Sequence, residues 1–129
     1  MARFSAWQKI ADYDSWFSTA VGYTGPACYE LGIGYRRDYV RVKYVGETSN
    51  ERRRMYEYAT YGSHLRRYIE AELRAGANLY YRAQALKSKQ AAITRQNNLL
   101  HRRAQEGRPY EWNAHGNLRR WLDDPTDTW

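Results

Sequence analysis

The chain has a single cysteine, Cys28, which excludes an internal disulfide and a thiolate metal cluster. Its three histidines, His64, His101 and His115, lack metal-ligand spacing, so a zinc site is not expected. No apolar run approaches the ~20 residues of a membrane span, and the opening MARFSAWQKI lacks the apolar core of a signal peptide. No glycine-rich phosphate loop and no Ser/His/Asp arrangement stands out. Repeats and low-complexity tracts are also missing, and 129 residues suit one domain with a modest core. An intracellular, cytoplasmic protein with no membrane partner is the expectation.

Against two phenylalanines the chain sets 13 tyrosines. Tyrosine joins apolar bulk to a hydroxyl tip and suits surfaces that meet polar ligands. The formal charge is +7, from 21 Lys and Arg against 14 Asp and Glu. That balance favours nucleic acid or an anionic membrane surface.

Residues 4–20 place Phe4, Trp7, Ile10, Trp16 and Phe17 at mixed spacing, and an N-terminal helical extension over 1–23 is expected. The core is expected over 24–117, with a tail over 118–129 and one short helix around 118–122. Strands read at 28–33 and 39–46, joined by a turn, and a third at 78–86. A hairpin symmetric about Arg36 and Arg37 would pair Ile33 with Val40, Leu31 with Val42, and Tyr29 with Tyr44, all on one face. Helices are expected after a Ser49 or Asn50 cap, from Ser63 to Gly76, and from Ser88 to Gly107. The fold class is mixed α+β: a small three-stranded antiparallel sheet flanked by helices.

Four features carry candidate chemistry. Tyr29 and Tyr44 are expected as cross-strand neighbours beside Gly46, a glycine that permits close approach of backbone or ligand. A phenol acts as a base at neutral pH only with a cation or metal beside it, and Lys43 or the arginines could supply the charge. Arg52, Arg53 and Arg54 point about 100° apart on a helix, so Arg52 and Arg53 read first as solvated. Arg54 shares a face with Tyr58, and its fork suits a phosphate. Gln96 falls within the apolar stripe of the last long helix, either at its edge or facing inward to hydrogen-bond partners. Asn113 reads most simply as a turn residue.

Taken in order, these residues resemble the GIY-YIG nuclease family. YVG at 44–46 matches half of the name, while ACY at 27–29 keeps only the tyrosine of the other half. Arg54 and Tyr58 fall where the family carries an arginine and a His or Tyr. QNNLL at 96–100 resembles its Glu-x-x-Leu-Ile segment, and YEWN at 110–113 its late asparagine motif. The resemblance spans roughly residues 24–117. It implies metal-dependent hydrolysis of DNA phosphodiesters with one Mg²⁺ or Mn²⁺ per site. Tyr29 would help activate water with Tyr44 and Tyr58, Arg54 would hold the phosphate, and Asn113 would support the site. The metal-binding glutamate is replaced by Gln96, which implies an inactivated substrate-trapping form or a naturally silent relative that only binds. The first is favoured because Tyr29, Tyr44 and Arg54 remain. Lys43, Gly46, Arg36, Arg37, Arg53 and Arg66 are candidate nucleic-acid contacts, with Arg41, Arg67 and Arg74 as further backbone contacts. Cutting both strands with one site per chain would call for a homodimer or two sequential nicks. The alternative is a non-catalytic nucleic-acid-binding module on the same scaffold. A structural protein using its aromatic surface, Trp112, Trp121 and Trp129 included, is a more distant reading.

Overall fold

The computed structural model describes residues 3–10, 23–60 and 63–114. In chain order they form β1 (Gln8–Ile10), β2 (Ala27–Gly34), β3 (Arg41–Thr48), α1 (Glu51–Ala59), α2 (Arg66–Arg74), β4 (Asn78–Ala85), α3 (Lys89–Gln105) and α4 (Glu111–Ala114). All neighbouring strands are antiparallel, in the order β1-β4-β2-β3. The class is mixed α+β as expected, with four strands where three were expected.

The fourth strand comes from a stretch read as helix. Residues 8–10 lie along β4, with Gln8 opposite Tyr81 and Ile10 opposite Leu79. Ser5 extends the contact, its N–H donating to the Ala83 carbonyl at 2.8 Å. The strand covers an edge of β4 whose backbone groups would otherwise lack partners. Residues 1–2 and 11–22 of the expected extension lie outside the described residues, as does the tail helix around 118–122.

The sheet carries helices on both faces. Tyr29, Leu31 and Ile33 alternate into one layer with Tyr44, Leu79 and Tyr81, under Met55 and Tyr58 of α1, Leu65 just before α2, and Ile69 of α2. Cys28 and Val45 point the other way, against Leu99, Leu100 and Ala104 of α3. On that face Glu30 is buried and compensated by Arg82, whose Nε donates to it at 2.7 Å, and by the Tyr110 hydroxyl.

Side-chain caps open α1 and α3, whereas α2 opens after Leu65 without one and begins later than a Ser63 cap would place it. Asn50 caps α1, its side chain accepting from the Arg53 N–H at 3.0 Å. Ser88 caps α3 by accepting from the Ala91 N–H at 3.1 Å. Gly107 follows α3 at a φ of 76°, a conformation few residues other than glycine adopt.

The hairpin register differs from the symmetric expectation. Tyr29 lies opposite Gly46, and Leu31 opposite Tyr44. Beyond Leu31 a bulge leaves Lys43 without a partner, so Gly32 faces Val42 and Ile33 faces Arg41. A shift of two residues preserves the face, so Tyr29 and Tyr44 stay together as diagonal neighbours. The bulge turns Val42 to the opposite layer, where it packs with Cys28 and Val45. Val42 therefore does not share a face with Tyr29.

Candidate active site

β3 lies at the outer edge of the sheet, and four separate elements meet there. Tyr44 and Glu47 come from β3, Arg54 from α1, Gln96 from α3, and Trp112 and Asn113 from α4. With His64, from the segment leading into α2, they line one cavity of about 300 Å³. Glu47 and Gln96 approach from the α3 side, and Tyr44 and Arg54 from the α1 side. Asn113 closes the strand edge between them. Its side-chain oxygen accepts from the Val45 N–H at 2.9 Å, and its amide donates to the Val45 carbonyl at 2.9 Å.

Three phenols cluster at one wall of this cavity, Tyr44 lining it and Tyr29 and Tyr58 behind. Tyr29 and Tyr58 share a hydrogen bond of 2.6 Å, and the Tyr29 and Tyr44 ring centroids lie 6.2 Å apart. Tyr29 is fully buried and does not line the cavity. Burial, reinforced by Tyr58 and Tyr44, raises its pKa well above the ordinary phenol value. Tyr44 and Tyr58 are also raised, mainly by burial, against a smaller lowering by Arg54. All three are neutral hydroxyls at neutral pH. The Tyr44 hydroxyl reaches the cavity and lies 3.4 Å from His64 Nε2.

Gly46 sits directly over this cluster. A Cβ there would meet the Tyr29 hydroxyl at 2.4 Å and Tyr44 Cε2 at 2.9 Å. The room left by glycine is thus filled by the Tyr29 ring, and not left open for a ligand.

Arg54 is half-buried and pairs with Glu57 at 3.0 Å. Burial works against its charge, but the hydrogen bond to Tyr58 and the Glu57 carboxylate offset it, and the guanidinium stays protonated. It is a fixed cation at the cavity wall, with a planar fork suited to two phosphate oxygens.

The remaining basic candidates lie elsewhere. Arg36 and Arg37 are exposed at the hairpin tip, and Arg36 pairs with Asp38 at 2.9 Å. Counting from Tyr29 along an extended strand places that tip roughly 20 Å from the site. Lys43 pairs with Glu111, and Arg66 with Glu70 at 2.7 Å. Arg53 is exposed on α1, as expected, whereas Arg52 is half-buried. The geometry therefore gathers Tyr44, Arg54, Gln96 and Asn113, stacks Tyr29 and Tyr58 behind them, and leaves Arg36, Arg37, Arg53 and Arg66 outside.

Three cavity residues, Glu47, His64 and Trp112, are not among those the sequence singles out for the site, and Trp112 enters there only as part of an aromatic surface. Glu47 directly follows the YVG triplet, which was the available signal. His64 falls at the start of the helix expected from Ser63, and nothing in its spacing marks it for the site. A wider groove of about 760 Å³ shares His64 and Trp112 with the cavity and is also lined by Arg67 and Tyr68. The Tyr68 and Trp112 rings are stacked there, 5.9 Å apart.

The resemblance implies a divalent cation, so the donor set matters. Among the described residues no three His, Cys, Asp or Glu side chains gather as a metal cage. Mg²⁺, however, commonly takes only one or two carboxylates and completes its shell with water and substrate phosphate. Glu47 offers one carboxylate, whose buried Oε2 is balanced by the Lys89 ammonium at 2.6 Å. Gln96 offers an uncharged amide on the same cavity. The set fits a cation that is completed by a phosphate ligand.

Among the described residues no helix is long and apolar enough to cross a membrane. Comparison with protein-family models, with curated proteins and with solved structures finds no match to this chain.

Proposed function

We propose that the chain is a nucleic-acid-binding endonuclease of GIY-YIG type, acting on a DNA phosphodiester held at the edge of β3. The observation that supports this is the convergence of Tyr44, Arg54, Gln96 and Asn113, widely spaced in sequence, on one small cavity. Arg54 would hold two non-bridging oxygens of the scissile phosphate and stabilise charge as it develops. The Tyr44 hydroxyl would orient the attacking water, with His64 beside it to receive the proton. Tyr29 and Tyr58, neutral and enclosed, would fix the Tyr44 ring and Arg54 and would not touch the water. A divalent cation bound by Glu47 and Gln96 would offset charge on the leaving oxygen. The adjoining groove, with Arg67 and the Tyr68–Trp112 stack, would accept nucleotides flanking the scissile bond.

The amide at position 96 favours a second reading, a module that binds nucleic acid without cutting it. Incubation of supercoiled plasmid with Mg²⁺ or Mn²⁺ separates the two. The endonuclease reading expects cation-dependent nicking that is stronger in Gln96→Glu and lost in Arg54→Ala. Salt-dependent DNA binding with no cleavage by either the wild type or Gln96→Glu would overturn it in favour of the binding module. Both strands would be cut through a homodimer or two successive nicks.

A further inference from the structure

We infer that Glu47, and not the side chain at position 96, supplies the charged ligand for a divalent cation in the β3-edge cavity. Glu47 projects from β3 towards the α3 layer, and Gln96 from α3 lines the same cavity. The Glu47 side chain is only 19% exposed and sits 2.6 Å from Lys89 Nζ. Its Oε2 nevertheless receives no hydrogen bond from the described residues. The Lys89 ammonium balances the charge on this buried oxygen, and a coordinated cation would take the ammonium's place.

Charge counting points the same way. One carboxylate and one phosphodiester neutralise a doubly charged ion, so a second carboxylate at position 96 is not required. Glutamate at position 96 would also stand beside Glu47 and repel it in the absence of a cation. An amide there avoids that repulsion and keeps a carbonyl oxygen available as an uncharged ligand. Its Nε2 donates to Asn97 Oδ1 at 3.3 Å, which engages the amide's nitrogen end. Lys89 is half-exposed at the first turn of α3, so its ammonium can leave for solvent when a cation arrives. Free of cation, the lysine balances Glu47; with cation, it is displaced.

The purpose of the ion depends on the proposed phosphodiester function, but its binding can be measured without nucleic acid. Mn²⁺ alone is titrated into the full chain by calorimetry, with free Mn²⁺ followed by electron paramagnetic resonance. Circular dichroism checks that each variant is folded. Glu47→Gln should weaken Mn²⁺ binding by about tenfold or more, as expected for loss of the charged ligand. Lys89→Met, which removes the competing ammonium, should tighten it. Gln96→Glu should restore binding to Glu47→Gln by returning a carboxylate to the cavity. Wild-type Mn²⁺ affinity in Glu47→Gln, or no tightening in Lys89→Met, would overturn the assignment. So would a wild-type chain that binds no Mn²⁺ at millimolar concentration. Mn²⁺ bound through Glu47 without any DNA binding would sink the endonuclease reading alone. DNA cleavage with Mn²⁺ binding indifferent to Glu47 would sink only the ligand assignment.

Discussion

Asn113 and Val45 are joined by two hydrogen bonds of 2.9 Å, one in each direction, so a single side chain does for the edge of β3 what a neighbouring strand would do. The pairing ties α4 to the strand that carries Tyr44 and Glu47, and it closes one side of the cavity. Asn113 itself is 1% exposed. Removing its amide strands a buried donor and a buried acceptor, each at about 1–3 kcal/mol before any water enters. Asn113→Asp is the sharper test, because a carboxylate still accepts from the Val45 N–H but presents an oxygen to the Val45 carbonyl. Urea unfolding should rank stability as wild type, then Asn113→Ala, then Asn113→Asp at neutral pH. Equal midpoints for all three would show that the contact contributes nothing to stability.

Gly46 is held by packing. A methyl group there collides with the Tyr29 hydroxyl and ring carbon at 2.4 and 2.5 Å, and the Tyr29 ring is itself fully buried. Gly46→Ala should destabilise the chain by about 1–3 kcal/mol, as overpacked cores do. Combining it with Tyr29→Ala should recover part of that loss, since the smaller side chain vacates the space. A double mutant showing simple additivity in denaturant melts would refute the proposed clash.

Cys28 lies on the opposite face, beneath α3. Burial pushes its thiol from 9.0 up to about 12, against a smaller lowering by Arg95. A folded-state pKa raised above the unfolded one stabilises the fold fully below the unfolded value, about pH 9. That stabilisation is lost as pH rises through the folded value. The buried tyrosines, raised in the same direction, add to the alkaline loss. Urea midpoints should therefore hold to about pH 9 and fall steeply above it, with a shallower fall in Cys28→Ala. Iodoacetamide at pH 8 should alkylate Cys28 far more slowly in the folded chain than in urea. Comparable rates in the two states would contradict its burial.

Much of this architecture is legible in the residue pattern, and the parts that are not share one cause. Asn50 and Ser88 announce α1 and α3 because a capping side chain acts within three residues of itself. Alternating apolar residues mark β2 and β4. β1, by contrast, is three residues long and exists because β4 offers it an edge, a fact absent from its own pattern. The bulge at Lys43 leaves no local signature, and it decides which layer Val42 enters. Tyr44, Arg54, Gln96 and Asn113 were identifiable one by one as candidates. Glu47 and His64 join them only through the meeting of β3, α3 and the approach to α2, a tertiary relationship that spacing along the chain does not encode.

The distinction between Tyr29 and Arg54 gives the last prediction, because the two touch the same phenol cluster and differ in access to the cavity. Tyr29→Phe removes one partner of the 2.6 Å hydrogen bond to Tyr58 and should cost about 1 kcal/mol of stability. It removes nothing that lines the cavity, so DNA affinity should stay at the wild-type level. Arg54→Ala removes the fixed cation at the cavity wall. Under the phosphodiester reading it should weaken DNA binding on any sequence and lower the salt dependence by about one unit of slope. Arg54→Lys should recover the slope but only part of the affinity, since an ammonium carries the charge without the two-pronged geometry. Filter binding of a labelled duplex across a salt series reads all three variants. A Tyr29→Phe chain that loses DNA affinity while Arg54→Ala keeps it would invert the assignment and move the phosphate away from the β3 edge.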